Sequence, residues 1–238
     1  MKYYAVADIH GRYDLLTKAF DAIDSAAEGD YKIITMGDYV DRGPESKQVL
    51  EALMSYRGVY PDRLICLQGN HEQIMLQSIV QKMKPDWWIS NGGDTTLMSY
   101  GHPAAPFMMY LWDQVSYMDV PEDHLKWIAA LPFYYETEKQ VFVHAGIPHW
   151  DMNLDRASKN NQEKMQWMLY GKQDSGGWRG KHVVHGHHQF EDGPHVWLNE
   201  KKGGRTDLDT GAYRTGRLVV GVFDDTQLHA IDYIEIKE

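Results

Sequence analysis

An α/β fold, with two sheets packed face to face and helices outside, is the architecture that this sequence predicts. Three observations carry it. Short apolar runs alternate with helix-period segments through Val80, polar Gly- and Asp-bearing loops follow each run, and the second half of the chain turns to strand-like patterning. The apolar run Tyr3 to Ala7 reads as a first strand, and Leu15, Leu16, Ala19, Phe20 and Ile23 recur at helical spacing from Tyr13 to Ala27. A second strand is predicted at Tyr31 to Met36, a helix around Val49, Leu50, Leu53 and Met54, and a third strand at Arg63 to Leu67. Another helix opens near Glu72, with Ile74, Met75, Ile79 and Val80 on its apolar face. This β-α-β-α-β-α order favours a largely parallel sheet, whose sites lie at the C-terminal ends of its strands.

The stretch Met83 to Leu131 is rich in Met and Trp and reads as mostly helical, with breaks at Asn91-Gly92-Gly93 and Gly101-His102-Pro103. Its Met and aromatic residues, Trp87, Trp88 and Met98 among them, are expected to serve helix packing rather than form a cap. Strands then follow at Phe133 to Glu136, Gln140 to Val143 and Lys181 to Val184, with a closing hairpin at Arg217 to Phe223 and Leu228 to Ile236. Between them runs a long polar connection, Ile147 to Gly180, carrying one helix-like segment at Gln162 to Leu169; connections of this length are often functional. No repeat, low-complexity tract or linker divides the chain, so one domain over residues 1–238 is expected.

The chain has 238 residues, 43% hydrophobic and 24% charged, a composition that excludes wholesale disorder, collagen and coiled coil. No run approaches the roughly 18 apolar residues a membrane helix needs. The N-terminus passes directly into the first strand without signal-peptide regions, and Cys66 is the sole cysteine, so a reducing, cytoplasmic setting is expected and thiolate metal sites are excluded. A net charge of −10 argues against nucleic acid or anionic membrane as partners, and a monomer is expected.

The loops after the first three strands read Asp8-x-His10, Gly37-Asp38-x-x-Asp41-Arg42-Gly43 and Gly69-Asn70-His71-Glu72. His144-Ala145-Gly146 and His185-Gly186-His187 follow later apolar runs. Carboxylate and amide oxygens mixed with imidazoles, and lacking thiolate, suit divalent Mn, Fe or Zn. Two ions fit this set better than one, with Asp38 bridging, Asp8 and His10 completing one site, and Asn70, His144 and His187 the other. Such a pair clamps a phosphoryl group and turns bound water into a nucleophile. Singly, an Asp or Asn after a strand is usually a turn or cap residue; five blocks in this order, each at a strand end, outweigh that reading. His102, His149, His195 and His229 lack this context and are expected to be ordinary surface or core residues.

The blocks Ala7-Asp8-Ile9-His10-Gly11, Gly37-Asp38-Tyr39-Val40-Asp41-Arg42-Gly43, Gly69-Asn70-His71-Glu72, His144-Ala145-Gly146 and Gly186-His187 resemble the PPP-type serine/threonine phosphatases within the calcineurin-like metallophosphoesterases. Trp88-Ile89-Ser90-Asn91-Gly92-Gly93 and Asp209-Thr210-Gly211-Ala212-Tyr213 look like the bacterial and phage branch, the lambda-phosphatase-like proteins and diadenosine-tetraphosphatase relatives. The resemblance implies a four-layer α/β/β/α sandwich and two divalent ions, usually Mn. It also implies that Asp8, His10 and Asp38 hold the first ion and Asp38, Asn70, His144 and His187 the second, with His185 behind them. It makes His71 the general acid, Asp41 the carboxylate that orients it, Arg42 the phosphate-gripping guanidinium and Tyr213 a residue closing the site. The activity implied is a phosphomonoesterase using a metal-bridging hydroxide, a serine/threonine protein phosphatase with phosphotyrosine as a further substrate.

The chain departs from that pattern at three places. Relatives place a second phosphate-binding Arg in Trp-x-Arg, where Trp167-Met168-Leu169 ends in leucine. Lys172, Arg179 and Arg214 are the available substitutes. Gln68 stands where many protein phosphatases have Arg, and His188 where bacterial relatives commonly have Thr. Phosphoproteins or small phosphorylated molecules are the expected partners. The alternatives are a bis(5'-nucleosyl)-tetraphosphatase and a catalytically weak metal- or phosphopeptide-binding module.

Overall fold

A computed structural model of the chain describes residues 1–83, 85–103, 120–149, 152–154, 158–171 and 174–238. Two five-stranded sheets form its centre. The first is built from β1 (Lys2–Val6), β2 (Tyr31–Thr35), β3 (Leu64–Cys66), β9 (Arg217–Asp224) and β10 (Asp232–Lys237), in the order β10-β9-β1-β2-β3. The second orders β4 (Tyr134–Glu136), β5 (Gln140–Val143), β6 (His182–His185), β7 (His195–Trp197) and β8 (Arg205–Asp207) as β4-β5-β6-β8-β7. Each has a parallel triad, β1, β2 and β3 in one and β5, β6 and β8 in the other, flanked by antiparallel strands. Both sheets are therefore mixed. Parallel strands are covered on both faces, which is why Tyr3 to Val6, Gln140 to Val143 and His182 to His185 are buried throughout rather than alternately.

Strand alternation sorts these side chains into layers. Tyr3, Ala5, Ile34, Met36, Phe142, Val184, Leu208 and Phe223 meet between the sheets. Their neighbours Tyr4, Val6 and Ile33 turn outward against α1 (Tyr13–Ala26) and α2 (Ser46–Val59), which contribute Leu15, Leu16, Ile23, Val49, Leu50 and Leu53. Val141, Val143 and Val183 face the other way, toward Ile147, Met152, Met165 and Trp178. Helices lie on the outer face of the first sheet, and α7 (Lys159–Trp167), which carries Met165, lies on that of the second. The α/β/β/α layering expected from the resemblance follows from these three apolar clusters.

Differences from the sequence reading are local. The helix expected near Glu72 begins at Asn70, as α3 (Asn70–Ile79), and α7 starts three residues earlier than the predicted run. The predicted break at Asn91-Gly92-Gly93 is present: Gly92 leaves helical geometry at φ 99° and ψ 11°, kinking the chain between α4 (Pro85–Trp88) and α5 (Asp94–Ser99). After α6 (Glu122–Ala129), the strands β7 and β8 were not foreseen, each being only three residues long. The closing hairpin forms, its second strand starting at Asp232 rather than Leu228, and a short helix, α8 (Ala212–Thr215), precedes it. Residues 104–119 of the Met- and aromatic-rich stretch, and Lys172, lie outside the described residues. Among the described residues no helix is long and apolar enough to cross a membrane.

One buried histidine ties the second sheet to pH. His182 on β6 bonds the Gly203 carbonyl through Nδ1 at 2.8 Å and Thr206 Oγ1 through Nε2 at 2.7 Å, and burial pushes its pKa down to about 4. Unfolding lets it take a proton below its ordinary 6.5, so its contribution is complete above that pH and is lost as pH falls from about 6.5 toward 4. The span corresponds to about 3 kcal/mol. Chemical denaturation in EDTA should show stability falling over this window, and His182→Asn should flatten the slope by about one proton.

Candidate metal centre and active site

Every parallel strand of both sheets ends at one rim, and the loops leaving them carry the candidate residues. β1 leads to Asp8 and His10, β2 to Asp38, Asp41 and Arg42, and β3 to Asn70 and His71. β5 leads to His144, β6 to His187, and β8 to Asp209. Six non-glycine residues here adopt the left-handed backbone region: Asp8 (φ 49°), His10 (44°), Asp38 (52°), Asp41 (71°), Arg42 (71°) and His187 (71°). Only two other described non-glycine residues do so, Lys82 and Arg179. Such strain costs of order 1–3 kcal/mol each and persists only where the surroundings enforce it.

The enforcing contacts are visible. Glu72, on the first turn of α3, is fully buried and accepts the backbone N–H groups of Asp38 (2.8 Å) and Gly69 (2.9 Å) on Oε2 and of Tyr39 (2.8 Å) on Oε1. Burial and the neighbouring Asp38 push Glu72 up to about 7, opposed by these donors. The Arg42 N–H bonds the Gly92 carbonyl at 3.2 Å; a side chain at Gly92, itself at φ 99°, would place Cβ 2.6 Å from that nitrogen. Gly186 leaves room for Asp8, whose Oδ2 accepts the His187 N–H at 3.0 Å.

Asp38 sits at the centre of the group. Its Oδ2 lies 3.4 Å from His10 Nε2 and 3.9 Å from His71 Nε2, while Oδ1 lies 3.5 Å from His144 Nε2. Ligand atoms of His10, Asp38 and His71 fall within 4.8 Å of one another, as do those of Asp38, His144 and His187. Asp8 is outside these two tight groups. Its Oδ1 is nevertheless buried without a hydrogen-bond partner.

The donor chemistry fits divalent metal. His10 Nδ1 bonds the Val40 carbonyl and His144 Nδ1 the Met36 carbonyl, both at 2.8 Å, which protonates those nitrogens and leaves each Nε2 a bare lone pair. His144 Nε2 then faces Asn70 Oδ1 at 2.8 Å and His187 Nδ1 at 3.3 Å, so acceptor groups converge on one point. Burial holds His10 well below its ordinary pKa, lowers His144 and takes His187 to about 3, all favouring the neutral, ligating form. Asp8 is pushed well above the usual carboxylate range by burial, Asp209 and Asp38.

His71 is set apart from the ligating histidines. Its Nδ1 bonds Asp41 Oδ2 at 2.7 Å, and although burial lowers its pKa, Asp38 and Asp41 together raise it above the ordinary value. Asp41 is itself held by the Trp88 indole N–H at 3.0 Å and by Thr96 Oγ1 at 2.7 Å. Of the Met and aromatic residues expected to pack, Trp88 is fully buried and also anchors this carboxylate, whereas Trp87 and Met98 are exposed. Nothing in the sequence assigned that task to Trp88 or Thr96.

Arg42 Nη1 is 2.7 Å from His10 Nε2, and its guanidinium lies 5.1 Å from the Tyr213 ring centre; that ring packs edge-on against His10 at 5.6 Å. His185 stays behind the group, contacting Asp207 at 3.5 Å and Arg205 at 3.2 Å, as the resemblance implied. Leu169 is 62% exposed. Of its available substitutes, Arg214 pairs with Glu191 at 2.7 Å and Arg179 lies over Trp178 at 5.0 Å. Gln68 is buried, donating to the Ile128 carbonyl at 2.8 Å, and exposed His188 packs on Phe190. Beside His187, Trp167 stacks on Trp87 with ring centres 5.3 Å apart and donates to Gln73 Oε1. As expected, His195 lies away from the rim, stacked on Phe190 and bonded to Asp192.

Paired mixed sheets bearing hard oxygen and imidazole donors on a shared rim define an α/β/β/α metallohydrolase. Residues 1–210 match the family described as calcineurin-like phosphoesterase, and the chain belongs to that family. A Caenorhabditis elegans protein provisionally named a serine/threonine-protein phosphatase is 42% identical over 67 residues, which are 28% of this chain and 18% of that protein. The chain thus matches less than a fifth of the length of this curated relative. Among solved structures, one provisionally described as a diadenosine tetraphosphatase superposes with a TM-score of 0.62 at 20% identity, over 99% of this chain and 93% of the other. A cold-active protein tyrosine phosphatase gives 0.60 at 18% identity, over 94% and 77%.

Metal removal should be felt by the fold. Dialysis against EDTA is expected to lower the thermal midpoint and added Mn to restore it, by mass action on the folded state. Asp38→Asn, which alters the carboxylate between both groups, should abolish the Mn-dependent rise in a thermal melt.

Proposed function

We propose that this chain is a metal-dependent phosphomonoesterase whose substrates are phosphoserine and phosphothreonine in proteins, with phosphotyrosine accepted as well. The observation that carries this reading is the His71–Asp41 pair, 2.7 Å apart, with His71 biased toward its protonated form beside the metal-ligand set. An alkoxide is a poor leaving group and calls for a proton donor, whereas a phosphoanhydride does not. Asp8, His10 and Asp38 would hold one divalent ion and Asp38, Asn70, His144 and His187 another, Mn being the leading choice and Fe or Zn also suited. Bound there, the ions would neutralise phosphoryl charge and lower the pKa of the attacking water.

The protein's own groups do the rest. Arg42 offers a planar fork to the non-bridging oxygens, and Tyr213, against which its guanidinium rests, limits where that fork points. His71 gives its Nε2 proton to the departing serine or threonine oxygen, while Asp41, held by Trp88 and Thr96, keeps Nδ1–H in place and stabilises the charged ring. Leu169 leaves the phosphate with one guanidinium fewer than the family pattern provides. The proposed setting is cytoplasmic, as a monomer.

A second reading, hydrolysis of bis(5'-nucleosyl) tetraphosphates, is favoured by the stacked Trp87–Trp167 pair beside His187, a surface suited to a base. Phosphate release with Mn from a phosphothreonine peptide, compared with nucleotide release from diadenosine tetraphosphate, separates the two. Faster turnover of the peptide is expected. His71→Asn and Asp41→Asn should each cut peptide turnover by roughly 10² to 10⁴. Wild-type rates in either variant would remove its assigned role, and faster dinucleotide cleavage would move the function to nucleotides.

A further inference from the structure

Five of the six parallel strand ends supply the candidate ligands, and the sixth, the end of β8, delivers Asp209. This residue is 2% exposed and is fixed from three sides. The Asp209 N–H donates to Asp207 Oδ1 at 3.0 Å, its carbonyl accepts the Phe190 N–H at 2.9 Å, and its Oδ1 accepts the Gly211 N–H at 2.8 Å. The Phe190 bond also ties it to the loop that carries His187. With these anchors made, Oδ2 alone is left, buried and without a partner.

That free oxygen belongs to a carboxyl lying against the carboxyl of Asp8, whose Oδ1 is likewise buried and unpartnered. Asp38 and Arg42 are also close enough to act on Asp209. Two buried carboxylates brought together cost far more than either contributes to packing unless a cation stands between them. Arg42 does not fill that place, since its Nη1 is turned to His10 Nε2. A rigidly held Asp beside the first-strand Asp, each with one buried oxygen left unpartnered, is the arrangement of a shared cation ligand set.

We propose that Asp209 is a further carboxylate of the first metal site, offering Oδ2 alongside Asp8, His10 and Asp38. This rests on reading the rim as a divalent-metal site. The addition makes the first site richer in anionic oxygen than the second, where Asn70 and two imidazoles accompany Asp38. Harder, more oxygen-seeking ions are thereby favoured at the first position, Mn over Zn.

Calorimetric titration of the EDTA-stripped protein with Mn tests the assignment without reference to turnover. Wild type is expected to bind two ions per chain; in D209N one of these should weaken by roughly 10- to 100-fold or more, the other staying within a few-fold. The D209N thermal midpoint in EDTA should stand at or above that of wild type, and its rise on adding Mn should be smaller. Unchanged Mn affinity at both positions would overturn the proposal. So would a D209N chain that is destabilised or unfolded in EDTA, because a residue placed for metal rather than for packing leaves the metal-free chain at least as stable. Wild-type protein that binds no Mn would instead overturn the metal reading on which the proposal stands.

Discussion

Everything at the candidate site depends on two parallel strand triads, one in each sheet, ending on the same side of the molecule. A parallel strand can end beside another only if the chain crosses back through a helix or a long connection, so each of these ends is followed by a loop with no partner strand to dictate its course. Six such loops from two sheets, separated only by the layer of Tyr3, Ala5, Ile34, Phe142 and Val184, form a rim narrow enough for His144 from the second sheet to touch Asn70 from the first. Moving either sheet by one residue of register would carry His144 and Asn70 apart by about 3.3 Å, more than the contact can absorb.

The rim is held by side chains outside the candidate ligand set. Glu72 sews the Asp38 loop to the Gly69 turn, Trp88 and Thr96 fix Asp41, and backbone carbonyls of Val40 and Met36 select the tautomers of His10 and His144. This outer layer sets protonation as well as position. Imidazoles donating to carbonyls present lone pairs inward, whereas His71, donating to Asp41, is biased toward holding a proton. The same side chain is thereby driven to opposite chemical states a few ångströms apart.

Much of this was legible in the sequence, because loops after buried strands concentrate polar residues that a core would reject. Asp8, His10, Asp38, Asn70, His144 and His187 stood out for that reason, and each lies on the rim. Asp209 did not. It follows β8, three residues of Arg-Thr-Asp with no apolar run to announce a strand, so nothing in the local pattern marked it as another strand end. Trp88 and Thr96 were hidden differently, sitting at helical spacing where an aromatic or a small polar residue reads as packing. Their second function needs a partner 47 or 55 positions away in sequence, which periodicity does not reveal. The exchange of Arg for Leu169 was plain, but what fills its place in the phosphate pocket depends on side-chain directions that spacing leaves open.

The six left-handed residues on the rim carry a consequence for how this protein would change under selection. Glycine adopts that backbone region without the penalty borne by a side chain, so glycine at His10, Arg42 or His187 would relieve local strain. Those are side chains to which the proposed chemistry gives a role. A population screened only for heat tolerance would therefore drift toward a sturdier, inert scaffold, and the active sequence persists at a stability below what its own fold allows.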